Sequence, residues 1–367
     1  MLFKVKKPFL FLFMFLFMCA TAAIHFISDN LLWSFKSAKP DTNENKYRSG
    51  PLLTKSTFIS ADGYLHPLKV WDAENGKHKA IVVCLHGFND YSSSFKSLGK
   101  YLSTQNIKTI AYDQRGFGGT DSPGYWHGGS VMAEDLSSLV ALIKDKEEDM
   151  PVFVLGSSMG GGVVLKALST TDLIVDGAIL LAPAVRGRVV MPWYQRTTLW
   201  FAAHVIPWVQ IGGGASIAGR TITPSDNILA LRKMRKDPMI IKKTIISTAW
   251  GLVNLMDDAL LASNELSVNT LLLYGAKDEV IPPYVMKRMM DSLPKESGNI
   301  TKIIYDDGYH MLLHDLQAER VLFDINLWIQ DSLVTNTTKY KEKKTLHVSL
   351  SQKWNNTYKL IRARIHS

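Results

Sequence analysis

Residues 152–162 read VFVLGSSMGGG. Val152, Phe153, Val154 and Leu155 form a short apolar run of the kind that makes a buried strand. The run stops at Gly156, and after three more glycines a helical pattern begins with Val163, Val164, Leu165 and Leu168. Gly156-Ser157-Ser158-Met159-Gly160 fits G-x-S-x-G, a strand–turn–helix so tight that the serine occupies strained backbone. The residues two positions to either side of it must then be small. The spacing predicts Ser158 Oγ at the rim of a sheet, over a helix N-terminus whose dipole and free N–H groups favour negative charge. The pentapeptide alone also fits a glycine-rich turn with incidental serines, so the flanking chain decides.

Upstream, Ala80–Leu85 is a continuous apolar run, the pattern of a parallel strand buried on both faces. It ends at His86-Gly87-Phe88. A helical stretch over Ser93–Ser103 follows. Then comes a strand at Thr109–Tyr112, ending in Asp113-Gln114-Arg115-Gly116-Phe117-Gly118-Gly119-Thr120. Met132, Leu136, Leu139 and Leu142 mark a helix within Val131–Lys144. Nearer the start, Phe58–Ser60 and Tyr64–Trp71 read as a hairpin turning at Asp62-Gly63. Downstream, Ala178–Leu181 is a strand closing in Ala182-Pro183-Ala184. This alternation predicts an α/β fold with a doubly wound, mostly parallel sheet.

From about 185 to 262 the alternation breaks, as expected of a cap inserted after a sheet strand. The stretch holds Met191-Pro192-Trp193-Tyr194, Leu199-Trp200-Phe201, Val205-Ile206-Pro207-Trp208 and the glycines Gly212–Gly214. Helical patterns follow around Asn227–Met234 and Ile240–Met256. Most of the aromatic side chains are expected in the cap's own core, with some exposed apolar surface within Met191–Trp208. Thr270–Tyr274 is a late strand leading to Asp278 and Glu279. Thr301–Tyr305 is the last, and its loop carries Asp306-Asp307-Gly308-Tyr309-His310, with His314 one helical turn further. A helix over Leu316–Leu333 closes the fold.

The chain has 367 residues and a formal charge of +9. Residues 1–40 carry +4 and residues 336–367 carry +7, so the body between them is slightly acidic, at −2. That distribution, with no helix-turn-helix, zinc or RNA-binding signature, argues against a nucleic-acid partner. Lys4, Lys6 and Lys7 precede the apolar run from Pro8 to about Ile24, which reads as an export signal, with Ala20-Thr21-Ala22 as a cleavage candidate, or as an uncleaved anchor. Either way the body is expected on the non-cytosolic side. Cys19 stands where a lipoprotein cysteine would, but Met18 is too large for the position before it. With Cys84 in a buried strand as the other cysteine, no disulfide framework or metal cluster is expected. The domain reading is a leader at 1–27, a linker at 28–54, an α/β domain at 55–335 with its cap at about 185–262, and a basic tail at 336–367. In the tail, Trp354, Tyr358, Leu360 and Ile361 among Lys353, Lys359, Arg362 and Arg364 make either a solvated segment or one that lies on anionic lipid.

Six stretches, taken in order, resemble the α/β-hydrolases of the monoglyceride lipase and lysophospholipase branch, the serine aminopeptidase S33-like family. They are VVCLHGF (82–88), AYDQRGFGGTDSPG (111–124), VLGSSMGGGVVL (154–165), AILLAPAV (178–185), LLLYGAKDEVIP (271–282) and YDDGYHMLLHD (305–315). The resemblance implies an α/β-hydrolase fold with a helical cap, and a triad of Ser158 as nucleophile, Asp278 as acid and His310 as base. Glu279 is one position off that register, and His314 lies beyond the Gly-Tyr that precedes the base. It implies an oxyanion hole from the backbone N–H groups of Phe88 and Met159, donors of a kind worth about 10²–10³ each in turnover. His86, Asp113 and Arg115 are expected to brace loops. The implied reaction is hydrolysis of a lipid ester, foremost monoacylglycerol, through an acyl-enzyme, with no metal or organic cofactor and with a membrane surface as partner. Lysophospholipase and acyltransferase activities use the same triad, and a non-catalytic binding protein can use the same scaffold.

Overall fold

The computed structural model describes residues 50–212, 216–217, 220–294 and 300–338. The leader with Cys19 and Ala20-Thr21-Ala22, the linker as far as Ser49, Gly213-Gly214 and the tail beyond Thr338 lie outside the described residues. In chain order the elements are β1 (Leu52–Leu53), β2 (Thr57–Ile59), β3 (Leu65–Trp71), β4 (Ala80–Leu85), α1 (Lys96–Thr104), β5 (Ile107–Tyr112) and α2 (Gly129–Lys146). Then come β6 (Val152–Ser157), α3 (Met159–Thr170), β7 (Gly177–Leu181), α4 (Trp193–Val205), β8 (Gln210–Gly212), β9 (Ser216–Ile217), β10 (Arg220–Thr221) and α5 (Ile228–Lys236). The last are β11 (Lys243–Ile245), α6 (Ile246–Ala262), β12 (Thr270–Gly275), α7 (Pro283–Ser292), β13 (Ile300–Tyr305) and α8 (Ala318–Thr338).

Nine strands form one sheet in the order β1-β2-β3-β5-β4-β6-β7-β12-β13. The first three pair antiparallel, and β3 meets β5 antiparallel. From β5 to β13 every pairing is parallel. Side chains alternate between the faces of a strand, and here each face has its own core. Ile81, Val83, Val152 and Val154 point to α2, α3 and α7, while Val82, Cys84, Phe153 and Leu155 point to α1 and α8. All six residues of β4 are buried. Each aliphatic side chain buried in this way contributes about 1.5–3 kcal/mol, which explains why the central strands read as unbroken apolar runs.

Two boundaries differ from expectation. Leu52–Leu53, inside the stretch read as linker, pairs with β2 as an edge strand. The closing helix runs to Thr338, into the stretch read as tail.

Between β7 and β12 lie α4, β8 to β10, α5, β11 and α6. The helix expected from Ile240 starts only at Ile246. Lys243, Thr244 and Ile245 are instead extended and pair with Gly212, Ile211 and Gln210. A β-branched pair beside an available strand partner favours extension over helix. The end of the insertion belongs to the main core. Leu255, Ala259 and Ala262 of α6 are buried with the α3 side chains, and Lys166 Nζ of α3 lies 2.7 Å from Asp258 Oδ2 of α6. The expectation that most cap aromatics form a cap core is overturned at α4, which has no buried residue. Trp193 is 76% exposed, and Tyr194, Trp200, Phe201 and Trp208 are each more than half exposed. His204 of α4 meets Trp250 of α6, and Trp200 stacks on the His204 ring while staying about half exposed.

Candidate active site

Ser158 joins β6 to α3 with φ +50° and ψ −113°, a backbone region rarely entered by residues with a side chain. The turn is possible because of its glycines. A Cβ added at Gly156 would come within 2.4 Å of the Gly160 carbonyl oxygen, and one at Gly160 within 2.2 Å of the Leu85 carbonyl oxygen. The Ser158 N–H donates to the Leu181 carbonyl at 2.9 Å, and its own carbonyl accepts from Gly162 and Ala184. The elbow is thereby stitched to the next strand, and the strain is held by a surrounding core that cannot yield.

Asp278 lies in the loop after β12. Its Oδ1 accepts from the Val280 and Ile281 N–H groups at 2.7 and 2.9 Å, and its Oδ2 accepts from His310 Nδ1 at 2.7 Å. His310 lies in the loop after β13, and its Nε2 is 3.0 Å from Ser158 Oγ. With Nδ1–H given to the carboxylate, Nε2 is left as an acceptor for the serine hydroxyl. The Asp278 side chain is fully buried and that of His310 is 11% exposed, so the site opens on the serine side. The two loops are joined by main chain, with Ala276 N–H donating to Tyr305 and Lys277 N–H to Gly308.

Neither of the two near alternatives bonds Ser158 or His310. Glu279 Oε2 accepts from the Thr223 N–H at 2.9 Å. His314 bonds neither Ser158 nor Asp278, and burial lowers its pKa. Met159 is the first residue of α3, where N–H groups have no intrahelical partner. The loop carrying Phe88 lies against Ser158, since a Cβ on Gly87 would be 3.5 Å from Ser158 Cβ.

His86, Asp113 and Arg115 have partners that account for them. The buried His86 ring accepts the Gln114 N–H at Nε2 and donates from Nδ1 to the Gly87 carbonyl, and burial lowers its pKa. Asp113 accepts from the Ser92 and Gly119 N–H groups. Arg115 grips Asp135 with Nε at 2.6 Å and Asp62 with Nη1 at 2.7 Å. The guanidinium holds the Asp62 carboxyl well below the usual carboxylate range.

Sequence reasoning missed a strap at Thr223–Asp226 that crosses the triad loops. Beside the Thr223 contact, the Pro224 carbonyl accepts from Met311 N–H at 2.9 Å and Asp226 Oδ1 accepts from Leu316 N–H at 2.8 Å. It also left Asp315 unassigned. An acid five residues past His310, just before a helix, was the one available signal.

The sequence profile of the family described as serine aminopeptidase, S33 matches residues 76–317. The human monoglyceride lipase is 25% identical over 293 residues, covering 77% of this chain and 92% of that protein. The rat monoglyceride lipase is 24% identical over 281 residues, covering 74% and 89%. Among solved structures, a soluble variant of the Saccharomyces cerevisiae monoglyceride lipase in complex with a substrate analogue superposes with a TM-score of 0.61 at 19% identity, covering 80% of this chain and 99% of that one. The profile spans the elbow, the acid loop, the base loop and the cap alike, and the chain therefore belongs to the serine aminopeptidase S33 family of α/β-hydrolases.

Proposed function

We propose that the protein is a serine ester hydrolase that cleaves monoacylglycerol through an acyl-enzyme. The observation that carries this is the single imidazole bridging Ser158 Oγ at 3.0 Å and Asp278 Oδ2 at 2.7 Å. His310 Nε2 takes the Ser158 proton as Oγ attacks the ester carbonyl, and the Asp278 carboxylate stabilises the imidazolium that forms. The Phe88 and Met159 amides bind the oxyanion. His310 then protonates the departing glycerol oxygen, and water repeats the two steps on the acyl-enzyme. The monoglyceride lipases among its relatives support a glyceride as the ester. The test is release of fatty acid from monoolein, lysophosphatidylcholine and p-nitrophenyl butyrate by the full chain and by Ser158→Ala. Turnover of monoolein above lysophosphatidylcholine, lost in the variant, is expected. Wild-type turnover in Ser158→Ala refutes the assignment, and a reversed preference makes the substrate a lysophospholipid.

The cap is the face we assign to lipid. Residues 185–262 hold ten Lys and Arg against four Asp and Glu, a net +6, although the body from 41 to 335 is negative. Arg232, Lys233, Arg235, Lys236 and Lys243 are exposed and make no ion pair with the described residues. Exposed tryptophans and unpaired cations within one insertion suit an anionic bilayer. Binding to vesicles with phosphatidylserine should exceed binding to pure phosphatidylcholine, weaken with salt, and fall when Trp193 and Trp200 are both changed to Ser. Equal binding by that double variant removes the cap from the docking face.

A further inference from the structure

The loop that carries His310 is fastened on both sides of that residue. After it, the Met311 N–H donates to the Pro224 carbonyl of the strap. Before it, the Tyr309 N–H donates to Asp315 Oδ2 at 2.8 Å. Asp315 is 3% exposed, and Ser225 of the strap, fully buried, stands beside its carboxyl and favours the charged form. We propose that Asp315 is a positioning residue for His310, holding the base loop against the inserted strap so that Nε2 stays in line with Ser158 Oγ. This rests on the assignment of His310 as the base.

Three observations support it. The carboxyl gains little from its surroundings beyond these contacts. Its Oδ1 is buried without a hydrogen bond, and burial pushes its pKa up to about 6, with Asp226 adding to the rise and Ser225, the Tyr309 N–H and His310 opposing it. A carboxylate kept at such a cost in a core needs an explanation beyond packing. Secondly, the strap reaches both partners of the nucleophile, since Thr223 holds the acid loop through Glu279 while Pro224 and Asp226 hold the base loop. Thirdly, the same insertion also reaches the Phe88 loop. Ile241 N–H donates to the Asn89 carbonyl, Asn89 Nδ2 bonds Thr244 Oγ1, and the Tyr91 hydroxyl donates to Asp237. The cap is fastened to the Phe88, acid and base loops, and Asp315 is the buried joint at the loop that carries the histidine.

Asp315→Ala should lower kcat on p-nitrophenyl butyrate about 10–100-fold with KM changed by less than about two-fold, as expected when a reacting group shifts while substrate contacts stay. The rate of fluorophosphonate labelling, which needs no lipid, should fall by the same factor. Asp315→Asn keeps a carbonyl acceptor for the Tyr309 N–H and should restore kcat to within about three-fold. Wild-type kcat and labelling in Asp315→Ala overturn the proposal, as does an Asn variant no better than the Ala one. If Asp315→Ala does not fold by circular dichroism, Ser225→Ala decides. A fall in its kcat of about three-fold or more at constant KM supports the proposal, and wild-type kcat overturns it. Ser158→Ala in the same plate separates the two ideas, because wild-type turnover there sinks the triad on which the role of His310 rests, whatever Asp315 does.

Discussion

Replacing Asp278 by Asn exchanges one oxygen for an NH2 at the buried end of the triad, and the structure dictates which way the amide must face. Oδ1 accepts two backbone N–H groups, from Val280 and Ile281, at 2.7 and 2.9 Å. An NH2 group cannot accept either, so the Asn carbonyl takes that position and the NH2 turns to His310 Nδ1, where Oδ2 now lies at 2.7 Å. Nδ1 then becomes the acceptor and Nε2 carries the proton, facing Ser158 Oγ with no lone pair to receive its hydrogen. The same loss of tautomer in other serine triads lowers kcat by about 10⁴. We expect a fall of about 10³–10⁴-fold here, equal to about 4–5.5 kcal/mol. Because shape and both backbone contacts survive, the melting temperature should change little. The assay is steady-state hydrolysis of p-nitrophenyl butyrate beside a thermal melt on the same preparation. An Asn variant within tenfold of wild type, equally stable, would refute the idea that residue 278 sets the imidazole tautomer.

Gly160→Ala drives a methyl to 2.2 Å from the Leu85 carbonyl oxygen on a central strand. Such overpacking costs about 1–3 kcal/mol or more, and a urea melt no weaker than wild type would show that the elbow is looser than its contacts imply. Burial holds the carboxyls of Asp315 and Asp324 up to about 6. The folded chain therefore keeps two protons that the unfolded chain, with carboxyls near about 4, has released, and stability should fall as pH rises from about 4 to about 6. Asp324→Asn keeps an acceptor for the Tyr305 hydroxyl and removes one of these groups. Its melting temperature should drop less than wild type between about pH 4.5 and about pH 7, and an identical drop would count against the raised carboxyl.

Strand and site differ in how far they can be read from residues alone. β4 and β6 are buried on both faces, so their apolar runs carry the parallel sheet in plain view. Ser158, Asp278 and His310 lie one, three and five residues past the ends of their strands, and a short local motif marks each one. What escapes is non-local. Lys243–Ile245 has a helical neighbourhood and becomes a strand only because Gln210–Gly212 lies alongside. The aromatics of α4 have the composition of a core, and no local pattern says that they will stay exposed. The strap reaches the base loop across 90 residues of chain, and Asp315, a lone acid before a helix, looks like any other.

Because α4 contributes no buried side chain, the hydrolase scaffold has little stake in what that helix is made of. Its sequence can drift, or be swapped as a cassette, while the nine-stranded platform stays intact. If the cap meets lipid as proposed, enzymes built on this frame can be readdressed to different surfaces by rewriting thirteen residues, with the loops of Ser158, Asp278 and His310 left alone.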